Sequence, residues 1–161
     1  MGCATKQPTL EAVESVNLEK FMGDWYVLGY TPTFIDDDAY NAVESYKLND
    51  DGTIAVTYTF NKGAADGPEK TYTPKGFVKE GTGNAVWGMQ FIWPIKADYR
   101  IIYLDDDYSR TIIGRNKRDY VWIMAREPSL PDEAYQKLEK IALEAGYDQD
   151  QIKKMPQISN K

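Results

Sequence analysis

The sequence contains no histidine among its 161 residues and only one cysteine. Without histidine, the commonest general base and zinc ligand is missing, so catalysis or metal binding would depend on carboxylates, tyrosine, lysine or the single thiol. One cysteine cannot form an internal disulfide, so cysteine usage does not indicate the redox compartment. We therefore expect a protein that is not an enzyme and that has no metal or cofactor site.

Basic residues are also in short supply, with 19 against 25 acidic residues and a net charge of -6. Nucleic-acid binding requires a basic stripe that neutralises phosphates, and the sequence has none, so nucleic acid is not an expected partner. Long hydrophobic runs are absent as well. The runs without a charge are shorter than the ~18 residues that a membrane-spanning helix needs.

What the sequence does contain is a succession of short alternating segments separated by turn residues, rich in tyrosine and tryptophan. Each segment has the period-two pattern of a β-strand with one buried face. Pro74 and Gly76 predict a bend within one of them. Eight strands in close succession favour an antiparallel meander that closes into a barrel and so hides both edges. The predicted strands are 23–30, 42–48, 53–60, 71–79, 85–94, 98–104, 108–114 and 119–126.

Three other segments break the strand pattern. Residues 31–41 are too irregular for a strand and predict a large loop over a binding site, although the three aspartates at 36–38 are equally typical of a solvated loop tip. After the strands, Pro131 begins a predicted amphipathic helix that Gly146 ends, packed on the outside of the sheet. A short strand is expected around residues 152–155.

Residues 1–18 are interpreted as a flexible N-terminal tether, and residues 19–161 as the folded domain. Gly2-Cys3 matches the small residue and cysteine at which bacterial lipoproteins are processed and acylated. N-myristoylation at Gly2 would require serine or threonine where Lys6 stands. The residues alone leave two interpretations of Cys3 open, a lipidated cysteine and a free thiol on a mobile terminus.

Three motifs, in this order along the chain, resemble the signatures of the lipocalin family. Their residues are most similar to those of the bacterial outer-membrane lipocalins. The first is Gly23-Asp24-Trp25-Tyr26. The second is Tyr99–Tyr108, with Asp105 at its acidic position, and the third is Arg118–Pro128, which contains Arg126. Each motif is weak alone, but all three at spacings that fit the strand count are specific, and the resemblance covers about Leu18 to Tyr147.

The resemblance implies an eight-stranded up-and-down barrel with one C-terminal helix, in which Trp25 plugs the closed end and Arg126 lies across its indole. Gly23 and Asp105 would complete these structural signatures. It also implies acylation of Cys3 and a lipid-anchored location at the bacterial outer membrane, facing the periplasm or the surface. The implied function is storage or transport of a fatty acid, such as palmitate, or of a lysophospholipid.

Strand alternation predicts which side chains line the barrel. Glu44 is also placed inward, where the resemblance leads us to expect a small or apolar residue, and it would repel a fatty-acid carboxylate and favour a neutral or cationic ligand. Gly88 and Trp93 are further departures from the family pattern. The predicted ligand-binding residues are Glu44, Ile54, Val56, Tyr58, Trp87, Met89, Phe91, Tyr99, Ile101 and Tyr103.

Two other functional classes remain open. The barrel could host a lipid-modifying or isomerising enzyme, for which only tyrosines and Glu44 offer acid-base groups. Alternatively, the same side chains could fill the barrel completely, leaving a membrane-tethered interaction protein. A homodimer is also compatible with the sequence.

Overall fold

A computed structural model describes residues 7–159, and within them ten β-strands form a single antiparallel sheet. A four-residue helix precedes the sheet, and a long helix and one 3-10 turn follow the ninth strand. The elements in chain order are α1 (Leu18–Phe21), β1 (Gly23–Tyr30), β2 (Ala39–Leu48), β3 (Ile54–Lys62), β4 (Glu69–Tyr72), β5 (Lys75–Val78), β6 (Val86–Ile92), β7 (Ile95–Leu104), β8 (Arg110–Gly114), β9 (Val121–Ala125), α2 (Asp132–Glu144), the 3-10 turn (Gln149–Gln151) and β10 (Lys153–Lys154).

The sheet closes on itself because β1 pairs with β2 on one side and with β9 on the other. β4 and β5 both pair with β3 and are two parts of one barrel strand, so the closed barrel has eight strands. β10 pairs with the last residues of β1. The predicted eight-stranded antiparallel barrel with a C-terminal helix is confirmed.

The break between β4 and β5 lies at the predicted bend. Pro74 cannot donate a backbone hydrogen bond, and its carbonyl accepts one from the amide of Val56 at 3.1 Å. Gly76 then allows two strands to approach closely, since a Cβ there would lie 3.2 Å from side-chain atoms of Ile54 and Trp87. The proline and glycine together let the sheet curve into a barrel.

Helix α2 packs on the outside of the barrel, as predicted. Its buried residues Tyr135, Leu138 and Ala142 join an outer apolar cluster that includes Leu28 and Ile123 from the barrel wall. Gly146 follows the helix with a positive φ of 109°, which ends it. The molecule therefore has two cores, one inside the barrel and one between the barrel wall and α2.

The segment before α1 packs against the barrel. Leu10 is 3% exposed, and its amide donates to Asn116 Oδ1 at 2.8 Å. The amide of Val13 donates to the carbonyl of Ile101, and that of Val16 to the carbonyl of Gly83. The structure therefore differs from the predicted flexible tether over residues 10–17. Cys3 lies outside the described residues.

Helix α1 was not predicted, because a single turn is too short to show helical periodicity. Asn17 caps it, with its side-chain oxygen accepting from the amide of Lys20 at 3.2 Å. The turn carries the fully buried ring of Phe21 into the barrel. It thereby closes the end of the barrel at which β1 begins.

Candidate functional site: the barrel interior

The closed end of the barrel is filled by aromatic side chains. Trp87 stacks on Tyr99 with ring centroids 4.6 Å apart, and Phe21 meets Trp25 at 5.2 Å. The indole nitrogen of Trp25 donates to the carbonyl of Phe21 at 2.9 Å. Together with Tyr46, these rings form the aromatic floor of the barrel. A ligand inside the barrel would lie between this floor and the opposite end.

Arg126 seals this floor from outside. Its guanidinium carbon lies 3.7 Å from the ring centroid of Trp25, the geometry of a cation-π contact. It also donates to five backbone carbonyls, which belong to Lys20, Phe21, Met22, Asp24 and Tyr108. The arginine therefore ties α1 and the start of β1 to the turn before β8.

Gly23 and Asp105 stand beside this seal. Gly23 has a φ of 95°, which favours glycine, and a Cβ there would lie 3.5 Å from a guanidinium nitrogen of Arg126. Asp105 accepts from the hydroxyls of Tyr103 and Ser109 and so holds the turn between β7 and β8. Both residues act on backbone geometry at the closed end.

Seven of the nine predicted apolar lining residues lie in the inner cluster. They are buried, at most 8% exposed, and come from β3, β6 and β7. Strand alternation identified them because none of them lies beyond a register shift in its strand. They are Ile54, Val56, Tyr58, Trp87, Met89, Tyr99 and Ile101.

The structure places the other two, Phe91 and Tyr103, elsewhere. The register of β6 and β7 shifts between Met89 and Ile92, and Phe91 is 61% exposed near the tip of the hairpin. A second shift, between Ile101 and Tyr103, turns Tyr103 toward the outer cluster. A bulge reverses the faces of the residues that follow it, so simple alternation was wrong for both side chains.

Glu44 faces the barrel interior from β2. Its backbone neighbours across the sheet are Trp25 and Tyr58, and its carboxylate accepts a 2.7 Å hydrogen bond from the hydroxyl of Tyr46. That hydroxyl also lies 2.8 Å from the hydroxyl of Tyr99. Glu44 is half-buried, whereas Trp25, Tyr46 and Tyr58 around it are buried.

Burial raises the pKa of Glu44 to about 7, with a further contribution from the negative charge of Asp36 and an opposing one from the Tyr46 hydrogen bond. Burial also raises the pKa of Tyr46 and of Tyr99 well above the ordinary value. Both tyrosines therefore stay protonated. Glu44 is the group in this network that changes charge near neutral pH.

The loop between β1 and β2 plugs the opposite end of the barrel through Asp36, which is 3% exposed. One carboxylate oxygen accepts from the backbone and hydroxyl of Thr33, and the other accepts from the Tyr58 hydroxyl at 3.0 Å. The Tyr30 hydroxyl donates to the Asp36 carbonyl at 2.8 Å. The sequence did not distinguish Asp36 from the aspartates beside it. Tyr30 and Tyr58, which lie near the loop end of β1 and β3, were the available indication that a polar group of the loop is buried there.

Large apolar side chains are exposed around this end of the barrel. Phe34 in the β1–β2 loop is 93% exposed, and Trp93 in the β6–β7 turn is 81% exposed. Ile92 and Ile95, beside Trp93, are also exposed. Because β1 and β6 stand four places apart in a ring of eight, the two loops face each other across the mouth. The mouth is thus flanked by apolar side chains on two sides.

Over residues 7–159, no helix is long and apolar enough to cross a membrane. No group of three or more histidine, cysteine, aspartate or glutamate side chains in the same residues is placed to hold a metal ion.

A closed eight-stranded barrel with an aromatic floor, an arginine seal and an outer helix is the architecture of a lipocalin. The model of the lipocalin-like domain matches residues 16–157, so the chain belongs to this family.

Two curated relatives illustrate its range. Temperature-induced lipocalin-1 of Arabidopsis thaliana is 32% identical over 95% of this chain and 86% of the relative. The outer membrane lipoprotein Blc of Escherichia coli K12 is 25% identical over 92% of this chain and 84% of the relative. Plant and bacterial members are therefore both similar to it.

Solved structures agree on the fold. Insecticyanin from the tobacco hornworm Manduca sexta superposes with a TM-score of 0.72 at 13% identity, covering 95% of this chain and 86% of that one. Lobster apocrustacyanin A1 gives a TM-score of 0.69 at 16% identity, covering 96% and 94%. Members of the lipocalin family are in general proteins that bind small hydrophobic ligands.

Proposed function

We propose that this chain holds one amphipathic lipid, a fatty acid or a lysophospholipid, inside its barrel and stores or carries it at the bacterial outer membrane. The observation that supports this most directly is the polar network of Glu44, Tyr46 and Tyr99, which lies inside a barrel whose wall consists of aromatic and aliphatic side chains. An acyl chain gains ~0.8 kcal/mol for each CH₂ group that it buries, so an apolar wall is sufficient driving force. Tyrosine hydroxyls would meet the polar head group.

The proposed location depends on Cys3 and on the bacterial relatives. The relatives named Blc are outer membrane lipoproteins, and the Gly2-Cys3 pair of this chain matches a lipoprotein processing site. Acylation of Cys3 would place the barrel at a membrane from which lipids are exchanged. Mass spectrometry of the protein from its native membrane fraction tests this, since an unmodified Cys3 would contradict it.

Native mass spectrometry of freshly purified protein is the first test of ligand binding. We expect a co-purifying lipid at one per chain. After its removal, the protein should bind dodecanol, palmitate or lysophosphatidylcholine with the same stoichiometry. A folded protein that carries no lipid and takes up none of these would contradict the proposal and favour a filled barrel that serves as an interaction module.

A matched pair of variants places the ligand inside the barrel. Glu44→Trp places a large ring inside the barrel between Trp25 and Tyr58 and should abolish uptake, whereas Glu69→Trp adds the same ring at an exposed position of β4 and should not. Thermal melting of both variants verifies that they are folded. Equal ligand binding by the two would exclude the barrel interior as the site.

A second candidate function, catalysis on a bound lipid, has one observation in its favour. The Glu44 carboxyl has a pKa of about 7 beside the tyrosine hydroxyls, which suits general acid-base chemistry near neutral pH. Incubation of the lipid-loaded protein followed by analysis of the lipid tests it. Turnover that Glu44→Gln abolishes would support catalysis, and an unchanged lipid would support simple binding.

A further inference from the structure

We propose that the barrel selects amphiphiles whose head group carries a positive charge, an ammonium above all, over those that end in a free carboxylate. This inference rests on the proposed function, because it assigns a head-group preference to the same interior space. It comes from the arrangement of charged and aromatic groups around that space.

Two carboxylates approach the interior from different elements. Glu44 stands on the wall of β2, and Asp36 enters from the loop at the mouth. Tyr58 links them, because it is the partner of Glu44 across β2 and β3 and its hydroxyl donates to Asp36. The two charges are close enough that Asp36 contributes to the raised pKa of Glu44.

No lysine or arginine of the described residues forms an ion pair with either carboxylate, and the charged group that acts on the pKa of Glu44 is Asp36. Lys70 lies opposite Phe60 across β3 and β4, but it is exposed at the mouth. The nearest described arginine at the closed end, Arg126, lies on the outer side of Trp25 with its donors directed at backbone carbonyls. Arg118, which is buried, donates to the carbonyls of Pro8 and Ala145 on the outside of the barrel. A fatty-acid carboxylate would thus add a third negative charge without a partner.

Aromatic rings supply the remaining wall. Tyr58 and Phe60 lie 5.4 Å apart between ring centroids, and Phe60 stacks on Tyr72 at 6.1 Å. Ring faces attract ammonium groups electrostatically, and quaternary ammonium ligands are commonly held in this way. A cation between Asp36 and Glu44 would meet carboxylates and ring faces together.

This arrangement also predicts how binding depends on pH. The titratable groups around Glu44 are Tyr46 on its own strand, Tyr58 on β3, Tyr99 on β7 and Asp36 in the loop. Tyr30 on β1 donates to Asp36, and Lys70 on β4 lies opposite Phe60 at the mouth. The tyrosines stay protonated through neutral pH because burial raises the pKa of each. A permanent cation should bind more tightly as pH rises from 6 to 8, because Glu44 then becomes ionised.

The experiment compares three ligands with the same twelve-carbon chain: dodecyltrimethylammonium, dodecanol and laurate. Affinities are measured by calorimetry below the critical micelle concentrations, at pH 6 and pH 8. We expect dodecyltrimethylammonium to bind at least tenfold more tightly than laurate at pH 8. From pH 6 to pH 8 its affinity should rise by up to about tenfold, since one proton on Glu44 is displaced, while that of dodecanol stays constant.

Two isosteric variants test the carboxylates. Glu44→Gln should remove the pH dependence of the cation, and Asp36→Asn should reduce the preference over laurate, while Glu69→Gln should change neither. Binding of lysophosphatidylcholine and of lysophosphatidic acid with matched chains extends the test to lipids, and the choline lipid should bind more tightly.

The outcomes separate the two proposals. If dodecanol binds but laurate binds as tightly as the cation at pH 8, the charge preference is wrong and the barrel remains a lipid site. If none of the three ligands binds, both proposals fail. A cation preference that persists unchanged in Glu44→Gln and in Asp36→Asn would also overturn the inference.

Discussion

Glu44 is a carboxyl group in an unusual environment, since it faces the interior of the barrel among tyrosine hydroxyls. A carboxyl group within an aromatic barrel holds its proton more tightly than in water, because the charged form is poorly solvated there. Its ordinary pKa of 4.5 becomes about 7 in the fold. The native state therefore binds more protons than the unfolded chain between these two values.

This difference gives Glu44 a pH-dependent effect on stability. The folded pKa lies above the unfolded one, so the free energy of unfolding should decrease as pH rises from about 4.5 to about 7 and stay lower above it. We expect Glu44→Gln to be more stable than the parent at pH 8, by roughly 3–4 kcal/mol, since each pKa unit between 4.5 and about 7 corresponds to about 1.4 kcal/mol. Chemical denaturation at pH 4.5 and pH 8 measures the effect.

The same measurement on Glu69→Gln is the control, since Glu69 is exposed. Its stability should follow the parent at both pH values. A Glu44→Gln protein whose stability also follows the parent would show that Glu44 has no raised pKa.

We expect Arg126 to contribute to stability and to have no role in ligand binding. Its ring contact with Trp25 contributes about 0.5–2 kcal/mol, and its bonds to backbone carbonyls add more. We expect Arg126→Leu to lower the free energy of unfolding by about 2–4 kcal/mol while the ligand affinity of the folded molecules stays nearly the same. Thermal melting and calorimetry measure the two quantities.

Arg126→Lys distinguishes charge from geometry at this position. Lysine keeps the charge but lacks the planar fork, so it should recover only part of the lost stability. Equal melting temperatures for Arg126→Leu and the parent would show that the arginine is dispensable.

At the scale of elements, the β1–β2 loop is held in the mouth mainly through Asp36. The Asp36 carboxylate accepts hydrogen bonds from Thr33 in the same loop and from the hydroxyl of Tyr58 on β3. Among the described residues, Tyr58 is the one barrel-strand residue that donates to this carboxylate. We expect Tyr58→Phe to increase amide exchange across residues 31–38 by about 2- to 10-fold, the range that corresponds to a net hydrogen bond of 0.5–1.5 kcal/mol. Ligand association should become faster as well.

Tyr72→Phe is the matched control, because Tyr72 stands on the neighbouring strand and stacks on Phe60. Its loop exchange should equal that of the parent. Hydrogen exchange followed by mass spectrometry resolves the loop from the strands around it. Equal exchange in Tyr58→Phe and the parent would mean that other contacts hold the loop.

Alternation predicted strands well where the pairing is regular. The β3 residues Ile54, Val56, Tyr58 and Phe60 all face inward because no bulge interrupts that strand. Phe91 and Tyr103 were misplaced since a register shift has no distinctive sequence pattern. A prediction from alternation therefore holds only up to the first bulge.

Contacts between distant segments were the part that the sequence could not provide. Asp36 resembles its neighbours Asp37 and Asp38 in sequence, yet it alone is buried, through partners on β1 and β3. Likewise, Leu10 lies in a segment without a regular apolar pattern, and its burial depends on contacts with Arg100, Gly114 and Asn116, about a hundred positions later. Periodicity describes one element at a time and does not report such pairings.

At the scale of the whole molecule, the barrel is closed by one pairing of distant segments. Each neighbouring pair from β1 to β9 is connected by a short turn or loop, whereas β1 meets β9 with Tyr26 opposite Ala125, about a hundred positions later. Loop-closure entropy opposes such a contact until the strands between are in place. The β1–β9 pairing therefore differs from the other strand pairings of the closed barrel, because it joins segments that are distant in the sequence.

The distant pairing of β1 with β9 should affect the order in which the strands fold. Hairpins between sequence neighbours should form first, and the β1–β9 ladder should form last, because non-local contacts slow folding. In a refolding experiment with pulsed hydrogen exchange, the amides that pair β2 with β3 should be protected before those that pair β1 with β9. Simultaneous protection of both ladders would contradict this order. Until the β1–β9 pairing forms, the chain is an open sheet with two free edges, and this is the stage at which two chains could exchange strands.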